Sequence, residues 1–532
     1  MATLIHDLIF ETAQRAPHAP ALSWQGEQLS YAALAQSVRE AAATLLTLGL
    51  QGGARVAVYL EKRPENVSAM FGTAAAGGVF VPVNPLLKPD QVAYILADCN
   101  VAILVTSRER LAQLGPALAA CPDLRTVLLT GEGEAESSLD KVRVLPWSAV
   151  SAASVPAPMP HAAIDVDMAA ILYTSGSTGR PKGVVLSHRN MLAGALSVSG
   201  YLRNTPQDRI LCVLPLSFDY GLSQLTTAFA SGACAVLMNY LLLRDIVEAV
   251  EQEAITGLAA VPPLWVQLSQ LSWPLSTPLR YITNSGGVMQ RTTLDRLRQS
   301  LPRTQVYLMY GLTEAFRSTY LAPEQLERRP DSIGQAIPNA EVLVLRPDGS
   351  VCDADEPGEL VHRGALVALG YWNDAARTAE RFKPLPPQAG GLVLPELAVW
   401  SGDTVRRDAD GYLYFVGRSD DMIKTSGYRV SPAEIEEVVY ASGLVGEAVA
   451  LAVPHAVLGH AIALLVTPPP GVEVRRDSVL AACRARLPSY MVPLWVDIRE
   501  DALPRNPNGK IDRPLLAREL ARAYAVQSGG EA

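Results

Sequence analysis

The stretch Tyr173-Thr174-Ser175-Gly176-Ser177-Thr178-Gly179-Arg180-Pro181-Lys182-Gly183-Val184 decides how this 532-residue chain is read. The apolar run Met168 to Leu172 leads into it and predicts a buried strand, and Val184 to Leu186 predicts the start of another. The polar segment is therefore expected in a loop between two extended pieces. Its glycines let the backbone approach a ligand closely, its hydroxyls and exposed N–H groups donate to oxyanions, and Lys182 adds positive charge. Together these residues describe a phosphate cradle. A flexible Ser/Gly linker has a similar composition, but a linker seldom lies between two strongly apolar runs and has no use for Pro181-Lys182-Gly183. Nor is this a Walker loop, which needs Gly-Lys-Ser/Thr opening a helix.

Working outward, the length exceeds what one core supports, so two or more domains are expected. A hydrophobic share of 49% with 18% charged residues is that of a well-buried globular protein. The net charge of −8 argues against a nucleic-acid partner, for which a basic surface is the first sign. Six cysteines (Cys99, Cys121, Cys212, Cys234, Cys352, Cys483) are scattered without a CxxC pair, so neither a zinc site nor a disulfide framework is indicated. Met1 to Arg15 carries Asp7 and Glu11 within its apolar pattern, unlike a signal peptide. The apolar stretch Leu451 to Val466 is interrupted by Pro454, His455, Gly459 and His460 and predicts strand–turn–strand rather than a membrane span. A cytoplasmic protein without a transmembrane segment is the expectation.

Along the first 130 residues helical patterns alternate with short apolar strands: helix at Tyr31 to Leu48, strand at Arg55 to Leu60, helix at Glu65 to Ala75, strand at Val79 to Val83. This is the pattern of a layered α/β domain. Gly131 to Asp167, acidic and then Pro/Ala/Ser-rich, predicts an exposed connection. Beyond the cradle come a helix at Asn190 to Ser199, a strand at Ile210 to Leu214 and the segment Pro215-Leu216-Ser217-Phe218-Asp219-Tyr220-Gly221. Asp219 in such apolar company needs a partner if buried, and otherwise is a helix-capping or turn residue. Val306 to Met309 predicts a strand running into Tyr310-Gly311-Leu312-Thr313-Glu314, a hydroxyl and carboxylate placed where open α/β sheets bind ligands.

The cradle resembles the signature of the adenylate-forming superfamily, which comprises acyl-CoA synthetases, amino-acid adenylation domains and luciferases. The other motifs follow in that family's order over essentially the whole chain. The resemblance implies an acetyl-CoA synthetase-like α/β fold: a large multi-sheet N-terminal adenylation domain over residues 1–419, then a small mobile α+β C-terminal domain over 420–532, hinged at Asp420. It implies ATP and Mg²⁺ as cofactors. Thr174, Ser175, Gly176, Ser177, Thr178, Gly179 and Lys182 would hold the β- and γ-phosphates and Glu314 the metal. Ser285, Gly286 and Gly287 would wrap the adenine, with Tyr310, Gly311 and Thr313 beside it. Asp403 and Arg418 would take the ribose hydroxyls, acceptor and forked donor suiting a vicinal diol.

In Asn506-Pro507-Asn508-Gly509-Lys510-Ile511-Asp512, in isolation an ordinary surface turn, the resemblance makes Lys510 the catalytic lysine. It would act with Glu314, Thr174 and Lys182. Lys424 and Gly427 would line a pantetheine tunnel after rotation about the hinge. Many acyl-CoA synthetases have an aromatic followed by His where this chain has Phe218, whereas amino-acid adenylation domains have Phe-Asp and use the Asp for the substrate's α-ammonium. Phe218-Asp219 matches the second version. His460 stands where many relatives have Glu and reads as a neutral surface histidine.

The chain thus resembles bacterial AMP-forming acyl-CoA ligases, with its finer likeness to the group associated with exosortase gene clusters. The implied activity is an acid–thiol ligase of fatty-acid metabolism with CoA as acceptor. The alternative loads an acid such as proline or alanine onto a carrier protein's phosphopantetheine. Arg505, Arg513, Arg518 and Arg522 suit an acidic carrier or are simply solvated surface. A non-catalytic nucleotide-binding relative would have lost Lys510 or Glu314, and both are present. Arg317, near Met309 and Ser318, meets either an anionic or hydroxylated substrate or a local carboxylate; the sequence leaves both open.

Overall fold

The computed structural model describes residues 2–131, 142–148, 163–174, 180–274, 276–385, 396–418, 422–469, 474–505 and 511–527. Their strands form four sheets, of nine, eight, five and five strands. The first three sheets, with their covering helices, make a large N-terminal domain. The last, built from Ile423–Thr425, Tyr428–Val430, Glu447–His455, Gly459–Thr467 and Trp495–Ile498, makes a small C-terminal domain. This is the mixed α/β architecture expected.

At the centre of the nine-stranded sheet, Gln305–Tyr310, Tyr281–Asn284, Gly257–Ala260 and Arg209–Cys212 lie side by side, all parallel. Strands buried on both faces read as unbroken apolar runs, as in Ile210-Leu211-Cys212, because helices cover both sides. Tyr281, Ile282, Leu258, Leu211 and Trp265 belong to the resulting core. The helix Asp219–Ser231 starts directly after the turn at Pro215, and Gly221 is what allows it. A Cβ at Gly221 would fall 2.0 Å from the Pro215 carbonyl oxygen, so no other residue fits without moving the helix start.

The eight-stranded sheet carries Met168–Thr174 paired antiparallel with Lys182–Ser187. The second strand begins at Lys182, ahead of its apolar run, so Lys182 and Gly183 belong to the ladder and Thr174 faces Lys182 on its last rung. Within the expected connection before the cradle, Arg143–Pro146 forms a short edge strand paired with Thr126–Thr130, and Val144 and Leu145 pack on the cores either side. The helices Tyr31–Thr47 and Pro64–Ala75 and the hairpin Glu447–His455/Gly459–Thr467 fall where the patterns place them. Among the described residues all six cysteines are buried free thiols, and no helix is long and apolar enough to cross a membrane.

Candidate functional site

Four parallel strands of the nine-stranded sheet end at the same edge, and each passes straight into a loop bearing candidate residues. Arg209–Cys212 leads to Phe218 and Asp219, Gly257–Ala260 to Val261, Tyr281–Asn284 to Ser285-Gly286-Gly287, and Gln305–Tyr310 to Gly311-Leu312-Thr313-Glu314. The carboxyl edge of such a sheet is where open α/β folds bind ligands. A cleft at this edge is lined by Phe218, Asp219, Ser285, Gly286, Gly311 and Glu314, among others.

On the phosphate side, the last rung of the hairpin holds Thr174 opposite Lys182. Lys182 Nζ donates to Glu314 Oε1 at 2.8 Å and to the Tyr371 hydroxyl at 2.6 Å, and Tyr371 donates to the same Glu314 oxygen at 2.7 Å. All three are buried, with Glu314 4% exposed. Burial alone would raise the Glu314 pKa, but the charges of Lys182 and Arg429 outweigh it and hold the carboxyl well below its ordinary range. Burial pulls Lys182 down, partly countered by Glu314. The Thr174 hydroxyl is shut off from solvent without a hydrogen-bond partner among the described residues. An unmatched buried hydroxyl beside an ammonium fits an incoming phosphate oxygen. Among the described residues no cluster of three metal-ligating side chains occurs. Glu314 could offer one carboxylate to a magnesium ion whose other ligands came from phosphate and water. Ser175, Gly176, Ser177, Thr178 and Gly179 lie outside the described residues.

On the nucleoside side, Asp403 and Arg418 are direct cross-strand partners in Leu397–Arg407 and Leu413–Arg418, so the sheet ladder brings them together. Tyr310 donates its hydroxyl to Asp403, and its ring lies near-parallel to His362, 13° apart in plane and 6.2 Å between centres. Asn284 donates to the Gly287 carbonyl at 3.0 Å and fixes the Ser285–Gly287 turn.

On the third side, Asp219 occupies the first turn of its helix, where the dipole favours an anion, yet it is 5% exposed. Burial pushes its pKa up, with Arg317 opposing. Met309 takes a hydrogen bond from Tyr201 and is packed in the core rather than on the cleft.

The small domain closes the cleft with Lys424, Gly427, Tyr428, Arg429, Glu434 and Tyr490. Gly427 has φ +81°, and a Cβ there would stand 2.7 Å from Val261 of the large domain, so this contact admits only glycine. Gln91 donates to Glu434 at 2.9 Å and Gln290 to the Ala456 carbonyl at 2.7 Å across the same interface. Lys510 and the hinge residue Asp420 lie outside the described residues. The residues flanking the Lys510 loop, Arg505 and Ile511, bridge to each other, and Arg505 pairs with Glu447. Glu447 begins the strand whose other end, His455, pairs with Gly459 beside Thr425. The Lys510 anchors and the Lys424 face are thus at opposite ends of a nine-residue strand. His460 is exposed at that end.

Sequence reasoning missed Tyr371, Val261, Arg429 and the Tyr428–Tyr490 stack, whose rings are 3.8 Å apart. Tyr371 reaches the site because Gly370–Tyr371 pairs with Val184 and Val185 of the hairpin, a pairing between distant parts of the chain that local pattern does not signal.

The sequence profile of AMP-binding enzymes matches residues 9–372, and that of the AMP-binding enzyme C-terminal domain matches 434–510. The L-proline--[L-prolyl-carrier protein] ligase of Pseudomonas fluorescens is 31% identical over 534 residues, covering 97% of this chain and 99% of the relative. A linear gramicidin synthase of Brevibacillus parabrevis is 30% identical over 95% of this chain, which spans only 6% of that protein's length. Among solved structures, o-succinylbenzoate CoA synthetase of Bacillus subtilis resembles the fold in two forms. A double mutant bound with its product analogue OSB-NCoA gives a TM-score of 0.82 at 24% identity, covering 96% of this chain and 98% of that one. The complex with the acyl-adenylate intermediate gives 0.67 at 25%, covering 96% and 97%. With both profiles matched in order and the fold shared from end to end, the chain belongs to the AMP-binding enzymes, the adenylate-forming ligases.

Proposed function

We propose that this protein activates a carboxylic acid with ATP and transfers the acyl group to the pantetheine thiol of CoA. In the first step a substrate carboxylate oxygen bonds to the α-phosphorus and the α–β phosphoanhydride breaks, releasing pyrophosphate. Catalysis of such a step rests on positioning and charge neutralisation. Thr174 and Lys182, with Ser175, Ser177 and Thr178, handle the departing phosphates, and Lys510 meets the charge developing at the α-phosphate. Glu314 would hold a magnesium ion, which neutralises phosphate charge when bound. Ser285, Gly286, Gly287, Tyr310, Gly311 and Thr313 receive the adenine, and Asp403 and Arg418 the ribose. In the second step the thiol sulfur attacks the acyl carbon and AMP leaves.

The observation that carries this reading is a cleft shared by Thr174, Glu314, Lys424 and Gly427, with Lys182 paired to Glu314 behind its wall. The closer overlap with the product-analogue form of the Bacillus subtilis synthetase supports placing the thiol on the Lys424–Gly427 face. Between the two steps, rotation about Asp420 of residues 420–532 against 1–419 withdraws the Lys510 loop and brings the Lys424–Gly427 face to the cleft. The Ser217–Gly221 segment favours the acyl-CoA ligases associated with exosortase clusters within the family.

A second reading, loading of an amino acid onto a carrier protein, is favoured by buried Asp219 as an ammonium receptor and by the proline–carrier ligase likeness over almost the full length of both chains. Pyrophosphate release over fatty, hydroxy, aryl and amino acids, followed by acyl transfer to CoA or to a holo carrier, tests both. Amino-acid turnover that Asp219→Ala abolishes would favour the carrier. Lys510→Ala should abolish adenylation yet spare thioester formation from supplied acyl-adenylate, and Asp420→Pro should do the reverse.

A further inference from the structure

Arg317 lines the cleft and is 3% exposed. Its guanidinium lies 4.6 Å from the centre of the Tyr220 ring. Nε and Nη2 are both shut off from solvent without a hydrogen-bond partner among the described residues. Asp219 feels its charge, but no ion pair forms between them. Of the two roles open from sequence, pairing with a local carboxylate is therefore not realised among the described residues.

The energetics make this arrangement unsatisfied. Stacking a cation on an aromatic ring returns only part of what the cation loses on leaving water, and the remainder stays uncompensated until its donors are matched. An unbranched apolar acyl tail in this cleft would leave the deficit in place. An oxygen acceptor brought in by the substrate would remove it, and a guanidinium is the fork that grips a carboxylate with two parallel bonds or a hydroxyl with one.

We propose that Arg317 determines specificity, and that the preferred acid carries a second oxygen acceptor, a carboxylate or hydroxyl, received by the Arg317 guanidinium. This rests on the adenylate-forming reading of the cleft. Asp219 lies at the same cleft, so an α-amino acid with an acceptor-bearing side chain engages both groups, while a dicarboxylic or hydroxy acid engages Arg317 alone.

The test is ATP–pyrophosphate exchange on matched acids of equal length, such as hexanoate, 6-hydroxyhexanoate and adipate, with and without an α-amino group. Acceptor-bearing acids should exceed their apolar match in kcat/KM by about 100-fold or more, since a site built to bond a polar group rejects analogues lacking it. Arg317→Met should erase that ratio by bringing the acceptor-bearing acids down to the level of their apolar match. Arg317→Gln, which keeps a donor without the charge, should retain hydroxy acids and lose dicarboxylic acids. Wild-type preference for the apolar acids overturns the proposal, even if the variants fail to fold. Equal loss on all acids in Arg317→Met also overturns it, by making Arg317 structural. Exchange with aryl or other amino acids but with none of these acceptor-bearing acids overturns this proposal and leaves the adenylation reading standing, whereas absence of exchange across that whole wider panel counts against the reading itself.

Discussion

The two walls of the cleft are built by different means. The large-domain wall is the carboxyl edge of four parallel strands, whose ladder bonds fix where Asp219, Ser285 and Glu314 stand. The small-domain wall is held by packing of Gly427 on Val261 and by hydrogen bonds from Gln91 and Gln290. A wall made of ladder bonds opens only by unfolding, whereas one made of a few side-chain contacts can leave and return. The difference suits the first wall to the proposed phosphate chemistry and the second to the proposed exchange.

Lys182→Met strikes the fixed wall hardest. It leaves Glu314 buried and unpaired, which should cost about 3–5 kcal/mol of stability, read from the denaturant midpoint. Adenylation should fall by about 10²- to 10³-fold. Gly427→Val attacks the docked wall only, because a side chain at φ +81° meets Val261. Thioester formation from supplied acyl-adenylate should drop about 100-fold while pyrophosphate release stays near wild type. Equal loss in both steps would erase the distinction between the walls. Tyr371→Phe removes one hydroxyl shared by Lys182 and Glu314, so about 1–3 kcal/mol of stability should go, with adenylation affected before thiol transfer.

The docked wall also differs from the fixed one in its response to pH. Burial raises the Glu434 pKa to about 7 from the ordinary 4.5, against the Gln91 hydrogen bond that lowers it. The docked arrangement therefore keeps a proton that the separated, solvated glutamate gives up. As pH rises from about 4.5 through about 7 docking weakens, and above that window this group adds no further dependence. The ratio of thiol transfer to adenylation should fall across that range, by at most the roughly 300-fold that a difference of about 2.5 in pKa allows. Glu434→Gln should flatten the profile.

Sequence displayed the fixed wall far better than the docked one. Apolar runs ending in Phe218-Asp219, Ser285-Gly286-Gly287 and Tyr310–Glu314 already announce strands delivering loops to one edge, because strand and loop are contiguous in the chain. Lys182 stood out in the sequence as a candidate phosphate ligand but not as a rung of the ladder, since Arg180-Pro181 masks where pairing begins. Tyr371 and Arg429 were not legible at all: each meets Glu314 from a distant part of the chain, and a tyrosine or arginine carries no local mark of such a partner. Arg317 was visible as a residue open to a substrate or to a local carboxylate, and only the burial of two unpartnered nitrogens among the described residues weighs between those roles.

The common sheet edge has a bearing on how such a protein changes over time. Phe218, Val261, Ser285 and Arg317 follow their strands rather than belonging to them, so none contributes a backbone bond to the ladder. Exchanging them alters what the cleft accepts without touching the rungs that make the fold. Selectivity can then drift from one acid to another through substitutions nearly neutral to folding, which leaves a scaffold evolvable in its choice of substrate while conservative in its architecture.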